Sequence, residues 1–203
     1  MKANEFIIEA DRVGTAMWRN SIPEKYKKFP IIGQGATSVV LDKGDDNVLV
    51  LTRDAMKKDW LVQTWGLGLG KWIDSFAAHH QKSRDIGDMP VLVIEMPKLY
   101  PLSLENKRII KKSIEQYYAV VGYEVNQKIV YKFNKYLETY PNGLFSHLVD
   151  FLQNYDVDQY SIDFLIRNFM QDKNNEIVLI DPIVSRDIII ALNHVILKKY
   201  NRT

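Results

Sequence analysis

Apolar and polar positions change rhythm several times along the chain, and each change marks an element. In residues 1–29, Ile7, Ile8, Val13, Met17 and Trp18 can share one helical face, and Pro23 ends the pattern. This predicts a helical arm over 1–29 that packs on the sheet after it. From Phe29 the period shortens. FPIIGQGATSVVLD reads as strand, glycine turn, strand; Gly44 to Asn47 is a polar turn, and Val48 to Thr52 is a third strand. Asp54 to Leu67 returns to helical spacing, with Asp54 as N-cap and Met56, Trp60, Leu61 and Trp65 as anchors. Gly66, Gly68 and Gly70 then break it. Lys71 to Ala77 and Pro90 to Met96 read as strands on either side of a polar loop. Long helical patterning covers Leu104 to Tyr140, and a shorter helix covers Gly143 to Tyr155. A last helix runs from Asp187 to Tyr200, its basic end at Lys198 and Lys199 suited to the helix dipole.

Composition narrows the class. The 203 residues suffice for one domain with a real core, divided or not into two lobes. With 46% hydrophobic and 26% charged residues the chain reads as soluble and globular. A net charge of +2 argues against a nucleic-acid partner held by phosphate neutralisation. The absence of cysteine excludes disulfides and thiolate metal sites and suits a reducing cytoplasm. The N-terminus lacks a signal-like apolar region, and no apolar run approaches the roughly 20 residues of a membrane span, so no membrane association is expected. His79 and His80 lack partners at ligand spacing and read as solvated loop. Lys107, Arg108, Lys111 and Lys112 among tyrosines read as a solvated face over a buried stripe, ahead of an RNA-binding surface.

The stretch richest in chemistry is SIDFLIRNFMQDKNNEIVLIDPIV, Ser161 to Val184. Asp163 and Asn168 come first, then a polar turn, a short apolar run from Ile177 to Ile180, and an acid at its exit, Asp181. A metal-dependent phosphoryl-transfer site needs such a set: one carboxylate toward the attacking hydroxyl, and an amide and second carboxylate for Mg²⁺. More than a hundred residues earlier, Gly33-Gln34-Gly35-Ala36-Thr37-Ser38-Val39-Val40 fits Gly-x-Gly-x-x-Ser-x-Val, where missing Cβ atoms let phosphates approach the backbone. A dinucleotide fingerprint is excluded, because a strand follows the glycines and no third glycine is in register. Plain structural roles stand beside these. Asp163 caps a turn, Asn168 satisfies loop backbone, Asp181 precedes Pro182 in a turn, and Gly-x-Gly is an ordinary β-turn.

These residues resemble the catalytic and metal loops of the protein-kinase-like superfamily. The offset from Asp163 to Asn168 equals that of His-Arg-Asp-Leu-x-x-x-Asn, with Ile180-Asp181-Pro182 in place of Asp-Phe-Gly. The Asp-Pro and the short chain after it are similar to the early protein kinase of T-odd bacteriophages. The resemblance spans residues 30–185, with motifs at 33–40 and 163–182. It implies an α+β, two-lobed fold, with a small antiparallel β N-lobe over 30–97 and a minimal, mostly helical C-lobe over 98–203. It implies Asp163 as base or orienter of the acceptor hydroxyl, Asn168 and Asp181 as Mg²⁺ ligands, and Gly33, Gly35 and Ser38 as the phosphate cradle. Backbone from Glu95 to Lys98 would meet the adenine edge as a hinge. The implied cofactors are ATP and Mg²⁺. The implied activity is Ser/Thr phosphorylation of host bacterial proteins in host take-over, in the host cytoplasm.

The chain also departs from the pattern. Val50 stands where the family's third strand has its phosphate lysine, and residues 54–67 contain no glutamate to pair with one. Ser161-Ile162 replace His-Arg, and Leu165 replaces the lysine that steadies the transferring phosphate. Lys43, Arg53 and Arg167 are the candidate substitutes. The departures imply an alternative, a pseudokinase that binds and inhibits a host protein. A scaffold without a nucleotide site and a small-molecule kinase are further alternatives.

Overall fold

The structure, a computed structural model, describes residues 22–35, 37–63, 67–77, 90–121, 148, 151–152, 154–155, 160–162 and 164–185. Most of the expected arm, the His79–His80 loop, Asp163 and the helix expected over 187–200 lie outside the described residues. The chain is α+β and forms two compact units. Among the described residues, the first takes in 22–58 and 70–97, and the second takes in 59–69 and 98–185.

The first unit is a five-stranded antiparallel sheet of β1 (Ile31–Gln34), β2 (Ser38–Gly44), β3 (Asn47–Thr52), β4 (Lys71–Ala77) and β5 (Pro90–Pro97), in the order β1-β2-β3-β5-β4. Residues directly opposite share a face. Val39, Leu51 and Val93 therefore line one side, and Val40, Val50 and Ile94 the other. The first side holds a core of Val39, Leu41, Leu49, Leu51, Val91 and Val93, joined by Ile22 and Tyr26, with Phe29 and Phe76 against it. On the second side Val48, Val50, Ile94 and Met96 are also buried. Burial of both faces explains why β3 and β5 read as continuous apolar runs instead of alternating ones. Each such aliphatic side chain contributes about 1.5–3 kcal/mol on burial.

Tight local chemistry sets the sheet's connections. The β2–β3 hairpin closes through Asp45 and Asp46, both left-handed at φ 51° and 58°, as a two-residue loop matched to strand twist requires. Gly44 N–H donates to Asp42 Oδ1, and Asn47 Nδ2 to Asp45 C=O. The pattern that Pro23 was expected to end lies outside the described residues, and Pro23 itself opens a helical turn, α1 (Glu24–Lys27). A proline costs least there, since its missing N–H has no intrahelical partner in any case. The Tyr26 hydroxyl donates to Asp74 Oδ2 at 2.5 Å, and Lys25 Nζ donates to the same oxygen. Asp54 does cap α2 (Ala55–Val62): its Oδ1 accepts from Met56 N–H at 3.0 Å and Lys57 N–H at 3.3 Å. The helix stops at Val62, short of the expected Leu67. Leu67 N–H bonds Trp60 C=O, a seven-residue step that helical spacing does not allow.

The second unit begins within α2, at Asp59. Trp60 packs edge-on against Phe151 at 5.2 Å, and its Nε1–H donates to Leu179 C=O at 2.7 Å. The Tyr155 hydroxyl donates to Asp59 Oδ2. Helix α3 (Leu104–Val121) buries Asn106, Ile110 and Tyr117. Two short ladders follow. The outer pairs β6 (Tyr160–Ile162) with β9 (Ile183–Ser185), and the inner pairs β7 (Phe169–Gln171) with β8 (Ile177–Leu179). No helix among the described residues is long and apolar enough to cross a membrane.

Candidate active site

The nesting of the two ladders positions the polar residues. Two loops lie between them, 163–168 on the way in and 180–182 on the way out. The inner ladder is extended by one bond, from Ile180 N–H to Asn168 C=O at 2.8 Å. Asn168 thus stands opposite the residue just before Asp181. A 3₁₀ turn (Ile166–Asn168) delivers it there, closed by Asn168 N–H to Leu165 C=O at 2.8 Å. Asn168 is buried and Asp181 half-buried. Asp163 lies outside the described residues. Ile162 pairs with Ile183, two residues beyond Asp181.

Asn168 and Asp181 offer two oxygen donors on adjacent chain segments. Mg²⁺ typically takes one or two protein carboxylates and completes its shell with phosphate and water. Among the described residues, no three His, Cys, Asp or Glu side chains gather into a metal site.

No family model, curated protein or solved structure matches the chain. The site therefore rests on its own geometry.

A polar network that sequence reasoning missed supports the inner ladder. Gln171 Oε1 accepts from Ser103 N–H at 2.8 Å and from Asn106 Nδ2 at 2.9 Å, while Gln171 Nε2 donates to Asn175 Oδ1 at 2.9 Å. Asn106 Nδ2 also reaches Asn175 C=O, and Tyr100 and Gln171 exchange two main-chain bonds. The turn itself is folded by Asp172 Oδ1, which accepts from Asn174 and Glu176 N–H, with Asn175 left-handed at φ 65°. The signal was present as polar side chains in an otherwise apolar hairpin, but their partners stand 65 and 68 residues away.

In the sheet unit the glycine hairpin forms as expected, with Gly33 opposite Val40. Some of its polar groups already have partners. Gly35 N–H donates to Ser38 C=O at 2.8 Å, and the buried Ser38 hydroxyl donates to Thr52 Oγ1 at 3.0 Å. Ser38 is a brace between β2 and β3. Gly33 lies at a register shift of the β1–β2 ladder, and steric clearance among the described residues does not demand glycine at either position. Neither has positive φ; a Cβ on Gly33 would meet only Val40 at an ordinary 3.5 Å, and one on Gly35 meets nothing within 4 Å. Yet glycine in a strand costs about 0.5–1 kcal/mol relative to alanine.

Glu95 is a strand residue. Its neighbours are Leu49 on β3 and Lys71 on β4, and Lys43 Nζ lies 2.5 Å from its carboxylate. The chain leaves the sheet only after Pro97. That pair also decides the part of Lys43. Glu95 stands opposite Leu49 and so faces away from Val50, which rules Lys43 out as a substitute for a lysine at position 50. Val50 is 5% exposed between Val40 and Ile94. Arg53 is buried, and desolvation pushes its guanidinium pKa down; its N–H donates to Thr37 C=O in the glycine hairpin. Arg167 is exposed on the 3₁₀ turn next to Asn168.

Proposed function

We propose that the protein is a small kinase-like ATP-binding protein that transfers the γ-phosphate to Ser/Thr hydroxyls of host bacterial proteins. The observation that carries this is the Asn168–Ile180 hydrogen bond, which sets an amide beside the segment bearing Asp181 at the foot of a hairpin. Chain order supports it: glycine hairpin, third strand, helix, two further strands, then the Asp, Asn and Asp set. So does the open space at Gly35, where an added Cβ would meet nothing within 4 Å. In this reading a two-lobed kinase-like fold has the sheet as its N-lobe. Asn168 and Asp181 hold Mg²⁺, which supplies charge neutralisation on the phosphates when bound. Asp163 orients the acceptor hydroxyl and takes up its proton, while Gly33 and Gly35 admit the phosphates close to the backbone.

A second reading is favoured by the cation geometry. Val50 is buried in the sheet, Lys43 is engaged with Glu95 on the opposite face, and α2 carries no glutamate. Phosphate cations supply much of the rate in this chemistry. A pseudokinase that binds a host protein without transfer accounts for the apolar residue at position 50.

Purified protein with labelled ATP, Mg²⁺ and bacterial lysate separates the two. Transfer that vanishes in both Asp163→Ala and Asp181→Ala identifies the enzyme; no transfer, with retained binding to a host protein, identifies the pseudokinase. Saturating Mg-ATP at 100 times its dissociation constant should add about 2.7 kcal/mol of stability. If neither Mg-ATP nor ADP shifts the melting curve, the kinase reading fails.

A further inference from the structure

Helix α3 carries a second surface feature, independent of any nucleotide. Its buried stripe runs through Asn106, Ile110 and Tyr117. On the opposite side, Leu104, Lys107, Lys111 and Glu115 form one row and Leu104, Arg108, Lys112 and Glu115 another, each at steps of three and four, and all are exposed. They therefore form one continuous face. Leu104 is 76% exposed and Ile109, on the flank, 46%.

This face breaks several local rules at once. Lys107 with Lys111 and Arg108 with Lys112 are like-charged pairs four residues apart, each mildly destabilising. Lys107 lies in the first turn, where the helix dipole disfavours a cation. Relief within the chain is small. Lys111 and Glu115 approach only to 4.0 Å, with side chains 71% and 66% exposed. Among the described residues, Lys107, Arg108 and Lys112 have no ion-pair partner. Local conflicts without an internal gain mark places shaped by something outside the chain.

We infer that this face of α3 is a docking surface for an acidic, leucine-bearing segment of a partner protein. Charge complementarity selects the carboxylates, and Leu104 and Ile109 supply the apolar anchor. A nucleic acid fits less well. The cations span six residues, about 7.5 Å of helix, too short a track for a phosphate backbone, which gains nothing from two aliphatic side chains. The same helix packs Tyr117 edge-on against Phe164 at 4.7 Å, the residue after Asp163, so docking surface and loop share one element.

The test is fluorescence anisotropy on the full chain, with a labelled peptide of Asp and Glu carrying leucine at about every fourth position. Micromolar binding is expected at low salt, weakening as salt rises. The triple variant Lys107→Ala/Arg108→Ala/Lys112→Ala should bind about ten-fold more weakly or worse, and Leu104→Ser should weaken binding further. All four positions are exposed, and the triple variant should melt no lower than the parent because like-charge repulsion is relieved. No binding by the parent, or equal binding by the triple variant, overturns the inference. So does a labelled oligonucleotide that binds more tightly than the peptide and is weakened by the same three substitutions. Failure here leaves the Mg-ATP melting test untouched, and failure there leaves this one untouched.

Discussion

The five-stranded sheet and the nested ladders are both antiparallel, yet different forces hold them. The sheet's central strands are buried on both faces, and their stability comes from apolar area. The ladders are three residues long on each strand, and the inner one depends on Gln171 linking Ser103, Asn106 and Asn175. Area forgives small changes in proportion to volume. A closed polar network does not, because removing one member orphans the others.

The sharpest break is expected in the sheet. Leu51 is fully buried, and Leu51→Ala should cost about 2–5 kcal/mol in urea unfolding. Gln171→Leu keeps the volume but strips partners from Ser103 N–H and Asn106 Nδ2; about 1–3 kcal/mol should be lost. If it proves neutral, the ladder is held by area after all. Asp54→Ala removes the α2 cap and should cost about 1 kcal/mol by the same measurement. Gly35→Ala runs the other way. With no steric or φ conflict it should stabilise by about 0.4–1 kcal/mol, while Mg-ATP ceases to raise the melting temperature.

The smallest effects are those of pH. Asp74 sits below the usual carboxylate range because Lys25 and Tyr26 donate to it. Its contribution is full above the unfolded value near about 4 and fades as pH falls through the lower folded value. Asp74→Asn should flatten that acid limb. Tyr26 is pushed up by burial and by Asp74. Its contribution is full below about pH 10 and is lost as pH rises through the raised folded value. Tyr26→Phe should remove that alkaline loss.

Much of the sheet was legible in the chain because apolar runs and polar turns alternate there at short range. The strands at 71–77 and 90–97 and the Asp54 cap follow from neighbours alone. Features that depend on distant partners were not legible. Pro23 opens a turn because Tyr26 is drawn into a core with Leu49 and Val93. The strand holding Glu95 was expected, but its place between Leu49 and Lys71 was not. In the candidate site, the spacing of Asn168 and Asp181 was legible, since a tight hairpin separates them. The engagement of the Ser38 hydroxyl with Thr52 was not, nor was the turning of Lys43 away from Val50, because both depend on strand register.

The strand order has a consequence for biosynthesis. β5 is last of the five to leave the ribosome, yet it occupies an interior place between β3 and β4. Until it emerges, the nascent polypeptide exposes the open edge of β3, a buried and largely apolar strand, and β4 has no neighbour to pair with. A translation product that stops before Pro90 is therefore a three-stranded meander with an adhesive border, and the cell's chaperones would meet it in that form.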